Sequence, residues 1–120
     1  MILVDTSVWV QHLRHSDPDL QHLLMEGQVL CHPFIIGEIA CGYLKNRKEI
    51  LTLLEALPCA KVAQPEELLK FIESRKLFGS GIGFVDIHLL ASCFLNHTLL
   101  WTQDTKLAQA SIALHVSYKP

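Results

Sequence analysis

Apolar residues come in two rhythms along this chain. Short unbroken runs at Ile2 to Val4, residues 28 to 31 and Leu99 to Trp101 predict buried strands, while longer stretches with apolar positions every three or four residues predict helices. The first helix should run over 6 to 15. A second over 18 to 26 opens at Asp17-Pro18, with a proline suited to a first turn, and is closed by Gly27. Pro33 introduces FIIGEIACGYL, a largely apolar helix, and RKEILTLLEAL repeats Ile50, Leu53, Leu54 and Leu57 at helical spacing. Residues 60 to 63 suggest a short strand. In PEELLKFIESRKLF, proline and two acids open a helix, and Arg75 and Lys76 fall in its last turn, in accord with the helix dipole. Gly79, Gly81 and Gly83 make a loop, FVDIHLLASCFLN a buried helix, and TKLAQAS a last short helix before a strand around His115 and Val116.

Short strands alternating with helices, without an Asn-Gly or similar hairpin signal, describe an α/β fold with a mainly parallel central sheet. In such sheets ligands bind outside the carboxyl ends of the strands. Two strand candidates end on that edge with a carboxylate close behind, Asp5 after ILV and Asp104 after LLWTQ.

The 120 residues predict one domain, 1 to 120, that buries roughly two thirds of the surface its unfolded chain exposes. With 50% apolar and 18% charged residues and no Gly/Ser tract or charge block, linkers and disorder find no support. The most apolar stretches carry an acid each and fall short of the ~20 residues of a membrane span. The start reaches Asp5 at once, with no positive region or cleavage site ahead of an apolar core, so a soluble, cytoplasmic protein is expected. Cys31, Cys41, Cys59 and Cys93 are scattered without a C-x-x-C pair, as buried thiols in a reducing compartment would be, and His12 with His15 lacks a second ligand pair for zinc.

Most of the twelve acids sit at helix starts or on polar faces. Asp5 and Asp104 end strands, and Glu38 and Asp86 interrupt the two most apolar helices, in IIGEIAC and GFVDIHLL. A helix cap would account for Asp5 or Asp104 alone. An unpaired buried carboxylate costs several kcal/mol, and lysine and arginine are scarce near these four. If the four converge at one sheet edge, their mutual repulsion calls for a divalent cation, and an all-oxygen donor set suits Mg²⁺ or Mn²⁺. Such a site typically activates water for displacement at phosphorus. Neither G-x-S-x-G nor a Walker loop occurs, and the 79, 81, 83 glycine spacing misses G-x-G-x-x-G.

Taken together, ILVDTSVWV, IIGEIACGYL, GIGFVDIHLLAS and LWTQDTKL resemble the PIN-domain family, and within it the short VapC-type toxins of toxin–antitoxin pairs. The resemblance spans the chain and implies a three-layer α/β/α fold and Mg²⁺-dependent endoribonuclease activity. On the positions that match, it makes Asp5, Glu38, Asp86 and Asp104 the acidic quartet that binds metal and positions water for RNA cleavage. Thr102, and Thr6 or Ser7, match hydroxyl positions that orient a ligand or the water. It further implies a homodimer and a cognate antitoxin that inserts a segment into the acidic site.

Other readings remain at this point. A PIN nuclease of RNA processing shares the chemistry, and a receiver-like or catalytically silent binding module shares the fold class. A receiver would need an acid ending its middle strand, where KVAQPEEL offers only a helix start, and DTS as an aspartic-protease triplet fails on the helical content. The net charge of −2 gives little general attraction to RNA phosphates. Arg14, the Lys45, Arg47, Lys48 cluster and the Arg75, Lys76 pair are candidates for a substrate path or for solvated helix ends. Trp9 and Trp101 are expected in the core rather than stacked on bases, and His88 is expected to pack beside an apolar face rather than to act as an acid.

Overall fold

The computed structural model describes residues 1–120. Its elements, in order, are β1 (Ile2–Val4), α1 (Thr6–His15), α2 (Pro18–Met25), β2 (Val29–Leu30), α3 (Pro33–Cys41), α4 (Arg47–Glu55), α5 (Pro65–Ser74), α6 (Phe84–Asn96), β3 (Leu99–Trp101) and α7 (Thr105–Ala113). The three strands form one parallel sheet in the order β2-β1-β3, with Ile2 opposite Val29 and Leu99, and Val4 opposite Trp101. Helices α1, α3 and α4 gather in one group and α5 and α6 in another, the latter against β3. This is the three-layer α/β/α arrangement that the sequence implied. No helix is long and apolar enough to cross a membrane.

Local chemistry explains the boundaries. Asp17 caps α2 by accepting the N–H groups of Asp19 and Leu20, and Gly27 closes it at φ +66°, a conformation that only glycine adopts freely. Pro18, Pro33 and Pro65 each stand in a first turn, where a missing N–H costs nothing. At the start of α5, Glu67 reaches back to the Gln64 N–H at 2.8 Å. The core is a cluster of 23 buried residues centred on β1, with Leu3, Val4, Val8, Leu89, Leu90 and Leu100 fully enclosed. Trp9 and Trp101 belong to it, each 4% exposed.

Four expectations change. The strand foreseen at 60–63 is absent, and pairing is confined to one parallel bridge, Cys31 to Cys59. Helix α6 takes the groups that a strand partner would have used: Asn96 Oδ1 accepts the Lys61 N–H, and Ser92 and Asn96 donate to the Lys61 carbonyl. The terminal strand likewise shrinks to a bridge from Leu100 to Ser117, after His115 turns the backbone to φ +61°. Helix α5 stops at Ser74, so Arg75 and Lys76 lie just beyond its last turn rather than within it. Of the cysteines, Cys31 and Cys93 are buried, with burial raising their pKa values to about 11 and about 12, whereas Cys41 and Cys59 are exposed at the periphery.

Candidate active site

The order β2-β1-β3 makes the gap between β1 and β3 a topological switch point: from β1 the chain goes first to one neighbour and later to the other. Crevices of this kind, at the carboxyl ends of parallel strands, are where open α/β sheets place ligands. Asp5 follows β1 directly and Thr102 follows β3 directly, and they meet across the gap.

Asp5 is 5% exposed. Its side chain does not cap α1, so the helix-cap reading fails for it. Its Oδ2 instead accepts hydrogen bonds from Ser7 Oγ at 2.8 Å and Thr102 Oγ1 at 2.7 Å. The same hydroxyls are tied into the backbone of the second junction: Ser7 Oγ accepts the Gln103 N–H at 3.0 Å and Thr102 Oγ1 accepts the Asp104 N–H at 3.0 Å. Asp5 is therefore clamped between β1 and β3, and both clamping hydroxyls use one carboxylate oxygen, leaving Oδ1 to a ligand.

Thr6 donates to Glu38 Oε1 at 2.7 Å, which links the first turn of α1 to the middle of α3. The sequence offered Thr6 or Ser7 as one hydroxyl position, and the structure employs both, on different acids. Glu38 is exposed rather than buried: Ile35 and Ile39 carry the inward face of α3, and Glu38, one turn after Ile35, stands at its flank. Asp86, in the first turn of α6, is half-buried. Its carboxyl is pushed up to about 6, first by burial and then by the charges of Asp5, Asp104 and Glu38. All four acids thus share one electrostatic neighbourhood. Asp104 is exposed and does cap its helix, accepting the Leu107 N–H at 2.9 Å.

No lysine or arginine neutralises them; the one ion pair of the molecule joins His22 to Glu26. The four acids act on one another electrostatically, but no three His, Cys, Asp or Glu side chains stand close enough together to hold a metal ion. Hard oxygen donors, a clamped carboxylate and a surplus of negative charge fit a divalent cation of the Mg²⁺ type.

His88, two residues beyond Asp86, turns away from this chemistry. It is 6% exposed, packed edge-on between Phe34 and Phe84 at centroid distances of 4.8 and 4.7 Å, and burial lowers its pKa. Its Nδ1 has no hydrogen-bond partner. Phe34 and Phe84 were not singled out in the sequence; their signal was an aromatic residue at the opening of each acid-bearing helix. His32, also buried, is lowered to about 4 by burial and by His88, and its Nε2 lies 3.1 Å from Ser92 Oγ.

The PIN-domain family model matches residues 2–113, the whole span that carries these elements. The chain belongs to the PIN domain family. It is 43% identical over 119 residues to "Ribonuclease VapC32" of Mycobacterium tuberculosis, in both strain CDC 1551 / Oshkosh and strain H37Rv, covering 95% of this chain and 96% of each relative. The resemblance drawn from the four sequence motifs thus extends to the full length, and this PIN domain is of the VapC kind.

Proposed function

We propose that this PIN domain is a Mg²⁺-dependent endoribonuclease, with Mn²⁺ as an alternative metal, acting in the cytoplasm as the toxin of a toxin–antitoxin pair. The observation that carries the reading is the hydroxyl-clamped Asp5 at the β1/β3 switch point, facing three more acids with no basic residue paired to any of them. Asp5, Glu38, Asp86 and Asp104 would hold the cation, which when bound polarises the scissile phosphate and lowers the pKa of water.

The chain's own residues divide the remaining work. Ser7 and Thr102 fix the orientation of Asp5, so that its free oxygen is aimed before any ligand arrives. Thr6 steers Glu38 toward the same edge. Asp86 keeps a proton up to about pH 6 and must release it as a cation binds, which makes metal affinity fall in acid. An antitoxin partner is supported by an apolar groove lined by Trp9, Leu13, Leu24, Ile50, Leu53 and Leu57. It adjoins a second groove that includes Arg14, Lys45 and Glu38, so a helix seated in the first can deliver a segment to the acids. The homodimer rests on the family resemblance.

The test is cleavage of a mixed RNA pool by the purified protein in Mg²⁺ or Mn²⁺, beside EDTA and an Asp5→Asn variant prepared identically. Cuts that fall at least ~10³-fold in both controls are the expected result for loss of a metal-holding carboxylate. Equal cutting by wild type and variant, or neither cutting nor metal binding, would reject it.

A further inference from the structure

Beyond the acidic edge the molecule carries a groove of the opposite sign. A groove enclosing about 450 Å³ runs between the end of α5, the loop into α6 and the outer face of α7, lined by Arg75, Lys76, Ser80, Lys106 and Gln109 among others, with no acid in the lining. In a chain whose net charge is −2, three exposed cations lining one groove are a local reversal, with Lys76 and Lys106 unpaired and Arg75 stacked over the Phe94 ring at 4.5 Å. Two local features set where these lysines stand. Lys76 occupies a left-handed conformation, φ +53°, where glycine is the usual residue, and the other non-glycine residues with positive φ are asparagine and histidine. Lys106 lies across the loop at Gly81, its Nζ 2.9 Å from where a Cβ would stand, and Gly81 sits at φ +80°, which favours glycine in its own right.

Along the chain the groove lies close to two of the acids. Lys106 lies two residues after Asp104 on α7, and the loop from Ser80 leads through Gly83 into the first turn of α6, which holds Asp86. We infer that Lys76 and Lys106, with Arg75, bind the phosphate backbone of single-stranded RNA on one side of the cleavage point and hold it in register with the acidic site. The inference rests on the nuclease reading for its substrate. Cationic side chains supply a sequence-independent grip, and Ser80 and Gln109 add hydrogen-bonding groups beside them.

The test is binding of a fluorescent single-stranded RNA of mixed sequence, in EDTA so that no cleavage intervenes, across a salt series. Three full-length proteins are compared: wild type, Lys76→Asn with Lys106→Gln, and Lys70→Gln with Lys119→Gln as a charge-matched control at exposed lysines outside both this groove and the one that includes Lys45. Asparagine suits the left-handed position, and a thermal melt checks that each variant is folded. Removing two phosphate contacts should lower the slope of log K against log salt by about 1.4 and weaken binding about tenfold at 0.15 M salt. The control should retain the wild-type slope. Equal losses in both variants, unchanged binding in the groove variant, or a groove that binds an acidic peptide in preference to RNA would each overturn the inference. Cleavage kept apart from binding separates the two claims. RNA held by the groove but never cut in Mg²⁺ or Mn²⁺ defeats the nuclease reading alone, and RNA cut with an unchanged KM by the groove variant defeats the groove alone.

Discussion

The two strand-to-helix junctions, VDTS at residues 4–7 and TQDT at residues 102–105, use the same residue types for opposite ends. In the first, Asp5 comes directly after β1, is buried, and has its charge held by Ser7 and Thr102 while the first turn of α1 goes without a side-chain cap. In the second, two residues intervene between β3 and Asp104, which reaches solvent and caps α7 through Leu107. The two-residue spacer decides the outcome. It places Thr102 where it can turn back to Asp5, and sets the second acid beyond the core. A carboxylate at a strand end is thus either a clamped ligand or a helix cap according to how far the chain has travelled from the sheet.

Removing the clamp should break this contrast most strongly. Thr102→Val deletes a charge-assisted bond to a nearly buried carboxylate and the acceptor for the Asp104 N–H, at about 2 kcal/mol. Thermal melts should fall by roughly 8 °C for a chain of this size, and RNA cleavage should drop with the lost orientation of Asp5. A Tm within about 1 °C of wild type would show the clamp to be decorative.

The second junction separates charge from capping. Asp104→Ala should cost about 1 kcal/mol through loss of the cap, while Asp104→Asn, whose amide oxygen still accepts from Leu107, should melt close to wild type. Both should lose metal-dependent cleavage equally if the charge serves the cation. Activity retained by the asparagine variant would confine Asp104 to capping.

The smallest effect lies in pH. The Asp86 carboxyl titrates near its ordinary value of 3.8 when unfolded and near 6 when folded, so between these limits the folded chain binds more protons. Without metal, stability should therefore decline as pH rises from about 4 to about 6, by about 1 kcal/mol or less given the half-exposed setting. Asp86→Asn should abolish the slope, Mg²⁺ should oppose it because its binding strengthens as the carboxyl deprotonates, and a metal-free slope of the opposite sign would contradict the clustering of the four acids. Urea melts across that range provide the measurement.

Where periodicity and capping residues agree, the sequence reports the structure closely. Helix α6 and strand β3 have the bounds that their apolar runs predict, Phe84–Asn96 and Leu99–Trp101. The misplaced elements are those whose backbone partners come from distant side chains. Nothing near Lys61 signals that Ser92 and Asn96 will satisfy its backbone, and that is why the strand at 60–63 fails to form. At the candidate site, residue type and spacing singled out four acids, and the charges of three of them bear on the fourth, Asp86. Their settings could not. Glu38 is exposed because only one side of an almost wholly apolar helix turns inward, and the choice of Thr6 for Glu38 and Ser7 for Asp5 depends on contacts spanning 32 and 2 residues. Of the basic groove, the Arg75, Lys76 pair was legible in the sequence, but Lys106 was not, since it joins them only after α5 and α7 have been placed.

The central position of β1 also sets a schedule for biosynthesis. The first strand to leave the ribosome finds one neighbour in β2 early, but its other flank stays open until residues 99–101 follow, and Asp5 gains its Thr102 bond only then. At translation rates of roughly 5–20 residues per second, that interval is about 5–20 s. A truncated or stalled product ending before β3 would carry the first acid without the last and without the clamp. The strand order thus makes assembly of the acidic edge conditional on a nearly finished chain.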